Sequence, residues 1–593
     1  MLSLKWRKPL CGLLTLSLCA ALAIPAAAAA ESGGPGGTPP DASSSFGGGT
    51  PPDASASFGG PGGGGANTMT YDYDGTLTGT LTADGTQQSS LRENLTAAAA
   101  DENAALVENG GTLTVANGTL SKSGSDTNGD NCNFYGINSI VLAVGENSMA
   151  YLTDSTLSAD SEGSNGIFAT DNATVYAKGD TIATTADNSR GLDATYGGTI
   201  IADDLDISTQ GDHCAALATD RGGGNISVTN STLATAGSGS PLLYSTGNIE
   251  VDGVTGTAAG SQLAGMEGLN TIRIYNSTLT STITSATASD PMADGIIIYQ
   301  STSGDAESTT GSAATFEASN STLKSAIASG SLFYITNTTA NVILSRTTLD
   351  FDSSAARLLT VQGNSSNNWG TAGSNGASVN FTGLSETLTG DIDVDTISTL
   401  NLYLLQGTVY TGAVSISANA VNTKTSSAPV TVNVDGSSRW VVTGSSTVTN
   451  LNAAEGASIV DADGKTVSIV ANGTTVVTGE SAYTVTVTGS YTTTVTTGDV
   501  NALQSDFIDR TAFDTYYGVT TSFGTASGAA SVTTVSADST AADTAASQTS
   551  DTSADTRDSI RYWIGAGTAA VVMAGYVLLQ HRKSGKASGR DAQ

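Results

Sequence analysis

Short bursts of alternating apolar and polar residues run through the middle of this chain, and the bursts recur. The shared phrase is nine residues long: Thr, apolar, any, apolar, any, Asn or Asp, any, Thr, Leu or Ile. Its copies are TLTVANGTL (112–120), MAYLTDSTL (149–157), TVYAKGDTI (174–182), TIIADDLDI (199–207), NISVTNSTL (225–233), NIEVDGVTG (248–256), TIRIYNSTL (271–279), TFEASNSTL (315–323) and NVILSRTTL (341–349). Successive copies start 37, 25, 25, 26, 23, 23, 44 and 26 residues apart, so the two long spacings read as one rung with an inserted loop. A second element keeps the same phase: GIFAT (166–170), GLDAT (191–195), AALAT (215–219) and LLYST (242–246).

Alternation with period two is a strand signal. The Asn, Asp or Gly at a constant place breaks the strand, because these residues tolerate the sharp turns that others resist. Three short strands and three bends in about 25 residues describe one coil of a parallel β-helix. A single coil cannot bury its apolar side chains. Coils stacked about 4.8 Å apart form a continuous interior of Val, Ile, Leu and Ala. The crossovers are expected to be right-handed, as parallel crossovers overwhelmingly are. Leucine-rich and helical repeats are disfavoured, since no rung holds ten residues of helical periodicity. Asn230, Asn276 and Asn320, the first residues of three NSTL copies, share one corner of the coil. N-x-S/T is also a glycosylation acceptor, but only a turn role explains the constant phase.

The β-helix is expected over 67–383. From 384 to 501 the rhythm loosens into TLNLYLL (399–405), VTVNVD (430–435), SRWVVTG (438–444), KTVSIVA (465–471) and AYTVTVTG (482–489), read as degenerate rungs and a β-rich cap closed by Trp440. In 502–518, Leu503, Phe507 and Ile508 fit one helical face, which predicts a short docking helix. The whole span 105–490 is expected to be one solenoid with little helix.

The ends read differently. Residues 1–30 carry a basic start, an apolar middle and a run of alanines, the pattern of a secretory signal peptide. Residues 31–66 repeat TPPDAS and Gly-rich phrases and read as a disordered linker; 519–561, rich in Ser, Thr, Ala and Asp, reads as a stalk. Residues 562–580 are uncharged and just long enough to span a bilayer as one helix. The basic tail 581–593 places that end in the cytoplasm. The membrane is therefore an expected partner, through one C-terminal helix, and the remainder is an extracellular domain.

Charge narrows the partners further. The chain has 22 Lys and Arg against 54 Asp and Glu, net −32; losing Lys5, Arg7 and Lys8 with the leader makes −35. That acidity disfavours nucleic acid and anionic lipid. Only 13% of residues are charged, so the surface must be mostly Ser, Thr, Asn and Gly.

The segments SRGLDATYGGTIIADDLDISTQGDHCAALATDRGGG (189–224), SGSPLLYSTGNIEV (238–251) and SLFYITNTT (331–339) resemble a family of bacterial secreted β-helix proteins described as adhesin-like. Their fold is a pectate-lyase-like solenoid. The resemblance covers roughly 100–490. It implies a place on the surface of a Gram-positive gut bacterium, and it implies no catalytic residues.

The same solenoid hosts polysaccharide lyases and glycoside hydrolases, so catalysis is the rival expectation. Asp203-Asp204 is the only faint match to the hydrolase segments, and neither GHG nor RIK is present. Asp203, Asp204 and Asp206 with Arg190 or Arg221 form the one patch that could carry chemistry; as strand and turn positions they are expected to be solvated. There is no DxDxDG loop and no glycine-rich calcium array, so no metal is assigned. His213 is the only extracellular histidine, and its neighbour Cys214 would point to the opposite strand face. Cys132 and Cys214 lie about three rungs apart, on the order of 14 Å, beyond the ~7 Å reach of a disulfide; free thiols are expected. The insertion 280–311 holds Asp290, Asp294 and Asp305, which could wall a cleft. No catalytic, cofactor or metal residue is assigned. The expected function is non-enzymatic binding of host or bacterial surface glycan or protein, with a purely structural envelope role as the third reading.

Overall fold

The computed structural model describes residues 70–306, 312–366, 368–424 and 428–525. The expected leader, most of the two linkers, the membrane helix and the basic tail lie outside the described residues. The described chain is almost entirely β. It winds through three long parallel sheets of 13, 15 and 10 strands, and each coil adds one strand to each sheet in turn. One coil shows the pattern: Leu192–Ala194 joins the first sheet, Thr199–Asp203 the second and Asp206–Thr209 the third. The phrases at 174–182 and 199–207 are lateral neighbours, with Thr174 beside Thr199 and Thr181 beside Asp206.

The interior follows from alternation. Ile200 stacks between Val175 and Ile226, and Ala202 between Ala177 and Val228; all are fully buried. Apolar columns of this kind run through one continuous core from Ala83 to Val487. Two residues join the second sheet to the third, and the first of them is left-handed in every coil from Arg92 to Arg346; Ser385 and Gln406 are left-handed at the same corner, where the chain enters a separate four-stranded sheet. Asn117, Asn230, Asn276 and Asn320 hold φ of 52°, 50°, 47° and 49° there, and Gly179 and Gly253 take the same place. Asn, Asp and Gly reach this region at least cost. The four letters NSTL are thereby accounted for. Asn makes the corner. The Ser231 and Ser277 hydroxyls accept the N–H of Leu205 and Val254 in the preceding coil, both at 2.9 Å. Thr232 faces out and Leu233 faces in.

The solenoid begins earlier than the phrase suggests. Gly79–Asp84, Gln87–Leu91 and Asn94–Ala97 make a first coil whose second-sheet strand is polar and exposed. At the far end, Ser446–Val448, Thr484–Val487, Ser468–Ala471 and Thr474–Val477 form a small sheet, whose last pair is antiparallel. Trp440 is buried inside the core and donates to the Gly412 carbonyl at 2.9 Å, rather than lying over the end as a lid.

The docking helix is shorter and later than its apolar spacing predicts. It spans Thr511–Tyr517, and Leu503, Phe507 and Ile508 sit in the non-helical chain before it. This whole stretch is a strap. It runs backwards over the outer face of the second sheet, touching one outward residue of each coil. Asn501 donates to Thr382 at 2.9 Å, and the Gln504 N–H to Glu317 at 3.0 Å. Arg273 pairs with Asp506 at 2.9 Å, and the Ile508 N–H donates to Glu250 at 3.1 Å. The Arg510 guanidinium donates to the carbonyls of Ser227 and Ala202, both at 2.9 Å. Tyr516 stacks on Tyr151, with ring centres 4.0 Å apart. The chain then reverses, and the Gly524 N–H donates to Asp252 at 2.6 Å. Glu250, Arg273 and Glu317 are buried under the strap, so its removal would leave three charged groups with part of their partners gone.

Two outcomes follow from this packing. Ile200→Asp places an unpaired charge in the core, at a cost of several kcal/mol against a total stability of about 5–15 kcal/mol; it should abolish the protease resistance of the surrounding coils, and unchanged resistance would mean Ile200 does not face inward. Arg510→Ala strips a buried partner from two carbonyls, and leaving a buried acceptor unpaired typically costs about 1–3 kcal/mol. Hydrogen exchange should then quicken in strands 199–203 and 225–229, nearly 300 residues upstream; exchange confined to the last coils would refute the strap's clamping role.

Candidate functional site

The three outer faces differ in what covers them. The strap lies along the second sheet. The first sheet is roofed by segments inserted between strands. Tyr71 and Leu77 of the N-terminal stretch pack on Leu106, Leu142 and Phe168. The helix Gly129–Tyr135, capped by the Asn128 side chain, supplies Phe134, whose ring lies 3.6 Å from the Arg221 guanidinium carbon. Farther along, Trp369 packs with Ile297 and Tyr334 and stacks on Tyr299 at 4.2 Å.

Beneath this roof runs a buried charge network. Arg190 reaches Asp220 at 3.1 Å, Asp193 at 3.4 Å and the side-chain oxygen of Asn133 at 2.8 Å. Arg221 pairs with Asp305. One guanidinium thus faces two carboxyls. Burial outweighs its pull, pushing Asp220 up to about 7 and Asp193 well above the carboxylate range. Glu267 accepts from Tyr244 at 3.0 Å and from Ser301, and burial raises its pKa too.

The expected acidic patch does not assemble. Asp203 is buried, not solvated: it pairs with Lys178 and accepts from Thr229 at 2.8 Å and Asn230 at 2.9 Å. The strap, 300 residues downstream in sequence, closes over that strand end. Asp204 is the left-handed corner residue, φ 58°, and Asp206 is exposed on the third sheet. The three carboxylates therefore belong to three different environments, and Arg190 and Arg221 are engaged in the first-sheet network. His213 occupies a left-handed corner, φ 57°, where burial lowers its pKa. Cys214 is free and buried, its thiol pushed up to about 12 by burial, while its sulfur accepts the Ser189 N–H at 3.0 Å. That is a packed thiol, not an activated one. Cys132 is likewise free and buried. Among the described residues, no group of three or more His, Cys, Asp and Glu is placed to hold a metal.

The insertion before the first-sheet strand Asp294–Tyr299 does bring groups together. Asp294 is 1% exposed, and neither carboxyl oxygen makes a hydrogen bond; Oδ2 of Asp290 is also buried without one. Burial pushes Asp290 up to about 7, and burial plus the nearby Asp290 holds Asp294 well above the usual carboxylate range. Beside them opens a cavity of about 290 Å³ lined by Tyr334, Gln362, Asn364, Asp395 and Asn419, with Pro291 and Met292 on one wall. Sequence reasoning pointed to the insertion but not to these lining residues, which come from separate coils and share no motif. A second groove of about 360 Å³ lies between Tyr71 and Tyr73 and the carboxylates Glu108, Glu146 and Asp171.

The third sheet is bare. Its outer face carries one exposed residue per coil in strict register: Thr119, Thr156, Thr181, Asp206, Thr232, Thr255 and Thr278. Each of these is exposed, and no other segment of the described chain covers the row. On comparison, no protein family, curated protein or solved structure matches this chain. The likeness to adhesin-like solenoids therefore rests on the segments quoted above.

The buried carboxyls set the pH dependence of stability. Burial pushes Asp180, Asp220, Glu250, Asp290 and Glu386 each up to about 7. The folded chain therefore holds protons that the unfolded chain releases near pH 4. This stabilisation is complete in acid and is lost as pH rises through about 7. The melting temperature should be higher at pH 5 than at pH 8; the opposite order would mean these carboxyls are ionised and fully paired.

Proposed function

We propose that this chain is a non-enzymatic, adhesin-like protein of the cell surface, held by its C-terminal apolar helix, that binds neutral glycan along the third-sheet face. The observation that supports this reading is the in-register threonine row. Two faces of the solenoid are occupied by the chain itself, while the third offers a threonine hydroxyl about every 4.8 Å, interrupted at Asp206. Each hydroxyl donates and accepts, so the row can bond a repeating polyhydroxylic partner. With few charges on the row, recognition depends on hydrogen bonding and varies little with salt. A protein partner on the same face is the other form of this reading.

One observation favours a second reading, a polysaccharide lyase or glycoside hydrolase: the Asp290–Asp294 pair beside the first-sheet cavity. A carboxyl held protonated near neutrality is what a general acid requires. The pair lacks hydrogen bonds that would orient it, and the Asp203 patch is dispersed, so binding without turnover is the better supported function.

The test is an array of glycans and extracellular-matrix proteins probed with residues 67–525, keeping the strap. Binding is expected, and Thr232→Arg with Thr278→Arg should reduce it at least about tenfold while leaving the melting temperature unchanged. Silence on every array would favour a structural envelope role. Release of unsaturated products or reducing ends that stops on Asp294→Ala would replace the adhesin reading with the enzyme.

A further inference from the structure

The first-sheet cavity has the features of a built site, and its chemistry is distinct from that of the threonine row. Its polar walls are held in place. Asp395 is buried, and its Oδ2 accepts the Gly363 N–H at 3.0 Å and the Asn419 amide at 2.7 Å. The Asn419 side-chain oxygen in turn accepts the N–H groups of Val421 at 3.0 Å and Asn422 at 2.9 Å. Asn364 donates to Thr336 at 2.8 Å and to the Trp369 carbonyl at 3.1 Å. Fixed amides of this kind need no reordering on binding.

One group is incompletely paired. Tyr334 lines the cavity, its side chain is fully buried, and its hydroxyl makes no well-formed hydrogen bond, with only the looser company of the Thr336 and Gln362 side chains. A buried hydroxyl left unpaired typically costs about 1–3 kcal/mol, and such groups are uncommon in folded proteins. A ligand hydroxyl would satisfy it. The remaining lining selects the ligand class. Among the described residues the cavity wall contains no Lys, Arg or His, so nothing there favours an anion. Its single carboxylate, Asp395, is already committed to the protein's own donors, so nothing there demands a cation. Pro291, Met292 and Val421 give an apolar wall opposite the amides. A volume of about 290 Å³ lies at the small end of ligand pockets, which run about 300–1,000 Å³.

We propose that this cavity is a binding site for a neutral mono- or disaccharide, with the Tyr334 hydroxyl and the Gln362 and Asn419 amides meeting its hydroxyls and Met292 its apolar face. The site goes beyond the binding proposed for the third sheet and does not depend on it.

The experiment titrates the full-length protein by ligand-observed NMR with glucose, galactose, mannose, N-acetylglucosamine and lactose. Galacturonic acid and glucosamine serve as charged controls. Saturable binding of at least one neutral sugar is expected, stronger than either control. Tyr334→Phe should weaken it by about tenfold, the loss of one hydrogen bond, with little change in the melting temperature, because the hydroxyl makes no well-formed hydrogen bond within the protein. Ala418→Trp, at the exposed rim, should abolish binding and leave the fold intact. The Thr232→Arg, Thr278→Arg variant should bind the small sugar unchanged, which separates this site from the third-sheet face. Absence of neutral-sugar binding, preference for a charged control, or full affinity in both cavity variants would overturn the proposal.

Discussion

Everything else in this molecule depends on coils stacking in register, and the register depends on one left-handed residue per coil. That residue turns the chain between the second and third sheets, so that Ile200 and Ile207, on either side of the corner at Asp204, both face inward. A slip of one residue on either side would exchange interior and exterior along a whole strand. Most coils meet the requirement with Asn, Asp or Gly. Arg346 and Ser385 meet it at φ of 49° and 53°. A left-handed conformation costs such residues roughly 1–3 kcal/mol, sustained only when the surroundings over-determine it. Here the surroundings are the coils above and below.

A stacked solenoid is ordinarily a chain of nearest-neighbour contacts, in which each repeat feels only the next. The strap breaks that rule. Tyr517 donates to the Leu152 carbonyl, and Arg510 bonds strands of the second sheet at Ala202 and Ser227. Coils that never touch are thus tied by one segment, and the buried Glu250–Arg273–Glu317 row is complete only with it. Cys132 and Cys214, the cysteines among the described residues, remain free and buried. Cooperative stability in this protein comes from a polar clasp over a periodic apolar core, without a covalent crosslink.

The same contrast decides what could be read from the sequence. Periodic features were legible, because an apolar residue that must meet its copy in the next coil repeats at the coil spacing. The phrase therefore located the second and third sheets and the Asn corner. Its blind spot was the first coil, where Gln87, Gln88 and Ser89 occupy an end strand with a neighbour on one side only and little pressure to be apolar. The short helix expected within 502–518 forms only at Thr511–Tyr517; its expected face, Leu503, Phe507 and Ile508, lies in non-helical chain, because these residues suit either a helical face or an extended chain laid on a sheet. The burial of Asp203 was illegible for the same reason: what covers it is distant in sequence. Likewise Tyr334, Asp395 and Asn419 meet at the cavity because stacking of the first sheet brings separate coils together, and they share no motif. Only the lengthened spacing, 44 residues, signalled that something was inserted.

The division of charge completes the picture. A chain with a formal charge of −32 would be expected to present carboxylates on every surface. Instead, several carboxyls lie beneath the first-sheet roof and the strap, where burial keeps their protons on, while the bare threonine row carries few charges. Burying carboxyls is costly unless they are paired or protonated, so their place is set by the segments that cover them. Two kinds of surface result. The covered faces are aperiodic and can shape a pocket around one small ligand. The uncovered face is periodic and can match only a partner that repeats.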